Sequence, residues 1–203
     1  MPTLSSNAND QTPAPNRPRR NRLTLWLVLA LCAAPVVASF VAYYWLQPSG
    51  HVNYGELLTP QPVPAATLAG VDTRPFSFAD LKGSWVLVSI DGSACDERCR
   101  TKLLYMRQVR LAQGKNSDRI ERVWLVNDDM FPNTAVVGEH PGLRVVRAPG
   151  SAVLAAFPAP TTPTAHIYVI DPLGNLMMRF PENPDPRGVL KDVSRLVRYS
   201  DWK

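Results

Sequence analysis

The chain has 203 residues, which beyond its tails is enough for one domain core of ordinary size. Its formal charge of +5 would suit nucleic acid, but four arginines against one aspartate in residues 1–22 supply more than half of it. No basic stripe with interleaved aromatics follows, so composition excludes nucleic acid as an expected partner.

Residues 1–22, rich in Ser, Asn, Thr and Pro before the arginines, read as a disordered basic tail. Residues 23–46 then run without a charge, long enough to span a bilayer as a helix. Trp26 at one end and Tyr43, Tyr44 and Trp45 at the other suit the two interfaces, and Pro35 is tolerable inside a membrane helix. Arg17, Arg19, Arg20 and Arg22 precede the span, so the tail is expected in the cytoplasm and everything after the span outside it. The competing reading is a signal peptide cleaved near Val37-Ala38-Ser39, but the apolar run is longer than a usual signal core and continues past that point. The expected location is the cell inner membrane, single-pass, with the C-terminal domain periplasmic. Residues 47–66 hold Pro48, Pro60, Pro62 and Pro64 and read as a stiff, extended spacer. Residues 67–203 remain for one domain.

In that domain, Pro75-Phe76-Ser77-Phe78 alternates like a short strand, and residues 79–83 read as a turn. Residues 85–90 are a continuous apolar run, the mark of a strand buried on both faces. Residues 96–113 have helical periodicity, with Cys99, Leu103 and Met106 on one stripe and Gly114 as a stop. Residues 122–126 form a second buried strand, ending at Asn127-Asp128-Asp129, whose carboxylates read as a solvated strand end. Residues 143–146 are short and apolar, and residues 151–157 form a short helix capped by Ser151. Residues 166–170 are a strand, 171–174 a turn, 175–180 a returning strand and 186–200 an amphipathic helix. Strands alternating with helices, then a hairpin and a helix, predict an α/β fold with a mixed sheet flanked by helices.

The chemistry concentrates at Cys95-Asp96-Glu97-Arg98-Cys99. A buried strand that delivers a cysteine to a helix N-terminus favours thiolate. Cys99 lies one helical turn on, close enough to close a disulfide or to share a soft metal ion. In an oxidising compartment the same pair also suits a purely structural disulfide. His166 shares a strand face with Tyr168 and Ile170, where a satisfied core or edge histidine is more ordinary than a ligand.

These segments resemble membrane-anchored thioredoxin-fold proteins, the TlpA/ResA reductases and the Sco/SenC proteins of cytochrome oxidase assembly. The likeness lies in residues 76–88, in the Cys-x3-Cys spacing, which is that of Sco, and in Tyr168-Val169-Ile170-Asp171-Pro172-Leu173-Gly174. Thr162-Pro163-Thr164 resembles the cis-proline segment of thioredoxins, so the resemblance implies a cis Thr162–Pro163 bond and a thioredoxin-like sheet. Two departures stand out. The motif lacks the prolines that Sco proteins place around it. Position 163 is Pro where Sco has its ligand histidine, and the nearest imidazole is His166, five residues before Asp171.

Three functions follow from the resemblance and the residues together. One is thiol–disulfide exchange in respiratory oxidase assembly, by an oxidoreductase acting on the oxidase copper subunit or another copper chaperone. Cys95, expected to be the exposed sulfur, attacks, Cys99 resolves, and Pro163 presents backbone to the partner. Another is a Cu(I) metallochaperone, with Cys95 and Cys99 as ligands and His166 or a partner residue as the third. The last is a non-catalytic scaffold with a structural disulfide.

Overall fold

The computed structural model describes residues 20–45 and 53–200, as two units. The first is one helix, α1 (Arg20–Trp45), with Pro35 inside it. Its stretch Arg22–Tyr44 is long and apolar enough to cross a membrane once. Of the disordered tail expected at residues 1–22, residues 1–19 lie outside the described residues and residues 20–22 begin α1; the start of the expected spacer, 47–52, also lies outside them.

The second unit is built on one sheet. Its strands are β1 (Glu56–Pro62), β2 (Leu68–Gly70), β3 (Pro75–Phe76), β4 (Trp85–Asp91), β5 (Ile120–Val126), β6 (Leu143–Arg147), β7 (Ile167–Ile170) and β8 (Asn175–Arg179). They lie in the order β1-β8-β7-β4-β5-β6-β2-β3. β4, β5 and β6 are parallel, with Trp85 opposite Ile120 and Arg122 opposite Leu143. β7 joins β4 antiparallel, and β8 and β1 continue that side antiparallel. The parallel pair β4/β5 needs a long crossover, which α2 (Glu97–Ala112) provides.

Every residue of β4 is buried, as a strand covered on both faces requires. Its alternate side chains enter different cores. Trp85 and Leu87 meet Leu103 and Met106 of α2, and Val189 and Val193 of α5 (Pro186–Tyr199). Val86, Val88 and Ile90 meet Phe78, Leu81, Val153 and Phe157 on the other side. Val153 belongs to the short α4 (Ala152–Ala155), capped by the Ser151 side chain as the sequence predicts. At the far end of α2, Gly114 has φ +56°, the left-handed stop the helix pattern calls for.

Several elements differ from the sequence reading, β2 among them. Residues 56–62, expected to be spacer, are a strand of the sheet, paired with β8 from Glu56↔Arg179 to Pro62↔Asn175. Pro60 and Pro62 are compatible with it because β1 is an edge strand with no neighbour on its outer side. Phe78 is not strand but opens a 3₁₀ turn (Phe78–Leu81), fastened by a reciprocal cap between Ser77 and Asp80. A short helix, α3 (Thr134–Gly138), capped by Asn133, follows β5.

Candidate functional site

The site lies where the parallel strands end. β4 delivers Asp91, the chain turns through residues 92–95, and α2 begins at Glu97 with Asp96 as its N-cap. Asp96 Oδ1 accepts the Cys99 N–H at 2.9 Å, which occupies one free donor of the first turn. Cys95 is closed into the turn by its N–H to the Gly92 carbonyl, and its φ of +44° is left-handed. Cys95 and Cys99 form a disulfide with Cα atoms 5.0 Å apart.

The expectation that Cys95 would be the exposed sulfur is corrected. Cys95 is 3% and Cys99 1% exposed, both within the core cluster that includes Leu103 of α2. A cavity of about 230 Å³ reaches both cysteines, lined also by Asp91, Asp96, Arg98 and Thr164.

Thr164 belongs to the segment that resembles the thioredoxin proline loop, so that segment does border the cysteines. The cis Thr162–Pro163 bond is corrected, since no peptide bond among the described residues is cis. Pro163 instead opens a 3₁₀ turn (Pro163–Ala165) capped by Thr162, a position where a ring without an N–H leaves no donor unmet.

Beneath the disulfide lies a buried ion pair that the sequence reading left without a role. Lys102 Nζ is 2.9 Å from Asp91 Oδ1 and 2.8 Å from Oδ2. The ammonium also donates to the Thr164 carbonyl, and Ser89 Oγ donates to Asp91 Oδ2 at 2.5 Å. Burial pushes the Asp91 carboxyl above its ordinary range, against the pull of Lys102 and the Ser89 hydroxyl. Burial likewise pushes the Lys102 ammonium down, against Asp91. Burial draws both groups toward their neutral forms, and their mutual attraction opposes it. The sequence shows the place of Lys102, three residues beyond Cys99 on the buried stripe of a helix, but not its pairing with Asp91.

The Asn127-Asp128-Asp129 strand end is also more than solvated. Asp128 Oδ2 accepts both Ser93 N–H at 2.8 Å and Ser93 Oγ at 3.0 Å, and the Asn133 N–H donates to the Ser93 carbonyl. A Cβ at Gly92 would sit 2.9 Å from that same carboxylate oxygen, so the close approach depends on glycine.

His166, expected as a third metal ligand, lies on the other side of the sheet from the cysteines. Along β7, Ile167 and Val169 face α2 and the cysteines, while Tyr168 and Ile170 face the opposite core. His166 packs edge-on against Tyr168 on that opposite side, and its Nδ1 donates to the Phe180 carbonyl at 2.8 Å. It lines a separate cavity with Tyr54, Glu56 and Arg179. Among the described residues no three His, Cys, Asp or Glu side chains group as a metal site. The local donor set for copper is therefore two sulfurs, joined here as a disulfide, and does not fit the three-ligand centre expected.

The family model described as "Transmembrane-like, thioredoxin-like, C-terminal domain" matches residues 85–200. Comparison with curated proteins gave no match. Among solved structures, the chain is similar to yeast Sco1 with copper bound, at a TM-score of 0.56 and 16% identity, covering 69% of this chain and 96% of that one. It is similar to BsSco, described as a Sco-family cytochrome c oxidase assembly protein with a disulfide switch, at a TM-score of 0.55 and 15% identity, covering 71% and 99%. It is also similar to a thioredoxin-family thiol:disulfide interchange protein from Chlorobium tepidum, at a TM-score of 0.53 and 23% identity, covering 69% and 98%. At these identities the likeness is one of fold.

Proposed function

The chain belongs to the family of transmembrane-like, thioredoxin-like C-terminal domains, and on that premise we propose that it is a membrane-anchored, extracytoplasmic thiol–disulfide exchange protein of respiratory oxidase assembly. The observation that carries the proposal is the Cys95–Cys99 disulfide at the β4–α2 junction, beside the buried Asp91–Lys102 pair. The two sulfurs have the separation of an intramolecular redox couple, and the buried ionisable pair beside them can take up or supply a proton.

In the reductive direction, the Cys95 sulfur attacks one sulfur of a partner disulfide. A Cys95–partner bond forms, the partner S–S bond breaks, and the second partner sulfur leaves as a thiolate that picks up a proton. Cys99 then gives its proton to the Asp91–Lys102 pair and attacks Cys95. The mixed disulfide breaks, the partner leaves reduced, and two electrons and two protons have passed from the dithiol. Thr164, next to Pro163, lines the cavity by which a partner backbone would reach the sulfurs. The Sco-like fold supports an oxidase subunit or its copper chaperone as that partner, and the four arginines ahead of the uncharged span support the outward placement.

The test is a trap. Cys99→Ser should accumulate a mixed disulfide with a client on Cys95, and Cys95→Ser should abolish exchange. Exchange that survives Cys95→Ser would remove the proposal. A copper-holding role is the second reading, favoured by the fold shared with copper-bound yeast Sco1. The reduced pair would offer two soft sulfurs, which suit Cu(I), with the third ligand supplied by a partner. His166→Ala should then leave both copper affinity and exchange unchanged.

A further inference from the structure

Arg122 is a charged residue in a core position. It alternates along β5 with the strand face of Ile120 and Trp124, which packs under α2, and it is 2% exposed. Its Nη2 donates to the Pro141 carbonyl at 2.6 Å, while Nε and Nη1 are buried without a partner. No carboxylate among the described residues forms an ion pair with it. Glu121 is held by Arg144 at 3.1 Å, and Asp118, almost fully exposed, lies 3.8 Å from Arg110. The groups nearest to Arg122 are instead Arg107 and Arg110 of α2, and His140 between α3 and β6. Burial first, then Arg110 and Arg107, pulls the Arg122 guanidinium down to about 10, against Glu121. Burial and then Arg122 push His140 down, so its ring is neutral at pH 7, and its Nδ1 is also buried without a partner. Arg107 Nη1 donates to the Glu139 carbonyl at 3.1 Å, which fastens the loop over this cluster. A Cβ on the exposed Gly142 would stand 3.7 Å from Arg122 Nη2, so the guanidinium lies just beneath that turn.

We propose that Arg122, with Arg107, Arg110 and His140 around it, binds one small inorganic monoanion of the size of chloride beneath the loop 139–142. Buried N–H groups in folded proteins are nearly always met, and a buried charge needs a counter-charge. Water can accept from the free N–H groups but brings no charge to set against three arginines. A monoanion does both. A dianion such as sulfate loses more hydration on entering a closed site, and a bulky carboxylate does not fit under a turn that leaves Arg122 so little clearance. The anion would join α2, β5 and the loop 139–142 through one set of charge-assisted hydrogen bonds. It therefore acts on the stability of the fold, and the site is independent of the exchange reading above.

The probe is sodium chloride, exchanged for sodium gluconate at constant ionic strength, with the oxidised full-length protein in non-ionic detergent. Raising chloride from about 1 to about 100 mM should raise the folding equilibrium constant, read by urea unfolding, about tenfold, as for one site with a Kd of about 10 mM. Arg122→Met removes the charge with little change of volume, so it should fold and lose the chloride dependence. Arg107→Gln should weaken the dependence, and Arg198→Gln, exposed on α5, should retain all of it. Chloride NMR line broadening reads binding to the folded protein directly. The original and Arg198→Gln proteins should broaden the line and Arg122→Met should not; if Arg122→Met does not fold, reduced broadening by Arg107→Gln decides in its place. No chloride dependence in the original protein would mean that water alone serves Arg122 and would overturn the site. A dependence equal in Arg122→Met, or undiminished in Arg107→Gln when that variant decides, would overturn it as well. Sulfate displacing chloride at equal concentration would overturn the monoanion.

Discussion

Asp91 and Lys102 are the residues on which the site depends most heavily, with side chains 8% and 3% exposed. Each is buried only because the other is there. Lys102→Met should cost about 3–5 kcal/mol at neutral pH, since it leaves a buried carboxylate without its counter-charge. Replacing both, as Asp91→Leu with Lys102→Met, should cost far less, because no charge is then left in the core. The single variant should also depend on pH. Asp91 is already raised above 3.8, and losing Lys102 removes the leading influence that holds it down. A raised carboxyl contributes stability that is complete below its unfolded value and lost as pH rises through its folded value. The Lys102→Met deficit should therefore shrink toward acid pH and grow toward alkaline pH. Denaturant unfolding of the full chain in detergent at pH 5 and pH 8 measures it; a deficit independent of pH would mean that Asp91 is not the group left stranded.

Within the elements, α2 links stability to redox through one side chain. Asp96 caps the helix by accepting the Cys99 N–H, while placing a negative charge beside the sulfurs. Asp96→Ala should destabilise the protein by about 1 kcal/mol through loss of the cap. Asp96→Asn keeps a capping oxygen and removes the charge, so stability should hold. Its Cys95–Cys99 reduction potential should become less negative, because the reduced pair then sheds an unfavourable neighbour. Equilibration with glutathione buffers reads the second effect; an unchanged potential would show that Asp96 serves only as a cap. This helix was legible in the sequence, since Cys99, Leu103 and Met106 recur at helical spacing and Gly114 ends the run. β4 and β5 were legible as unbroken apolar strands. β1 was not, because prolines argue against a strand and only its position at the sheet edge makes them acceptable. Nor was the side of the sheet to which His166 belongs. Alternation puts it with Tyr168, but only the pairing of β7 with β4 fixes that face as the one away from the cysteines. Lys102 was legible as a helix residue, and its ion pair was not, because Asp91 meets it across a turn that only the folded chain closes.

At the scale of the whole molecule, the expected topology follows from the uneven charge. Arg17, Arg19, Arg20 and Arg22 cluster before the uncharged span 23–46, and no matching cluster follows close after it. A reporter active only after export, fused at the C-terminus, should be active, and moving the four arginines beyond residue 46 should reduce that activity. A reporter active only in the cytoplasm, working at the same position, would contradict the placement. The outward placement matters because an oxidising compartment accommodates both a cycling pair and a permanent structural disulfide. The burial of Cys95 and Cys99 suits a stable disulfide, and their cavity beside Asp91 suits a reactive one. The reduction potential of Cys95–Cys99, measured by equilibrating the full-length protein with glutathione and thioredoxin-type couples, separates the two most directly. Exchange predicts a value of about −120 to −270 mV, where dithiol proteins that pass electrons to clients lie. A value below about −300 mV would mark the bond as structural and contradict the account.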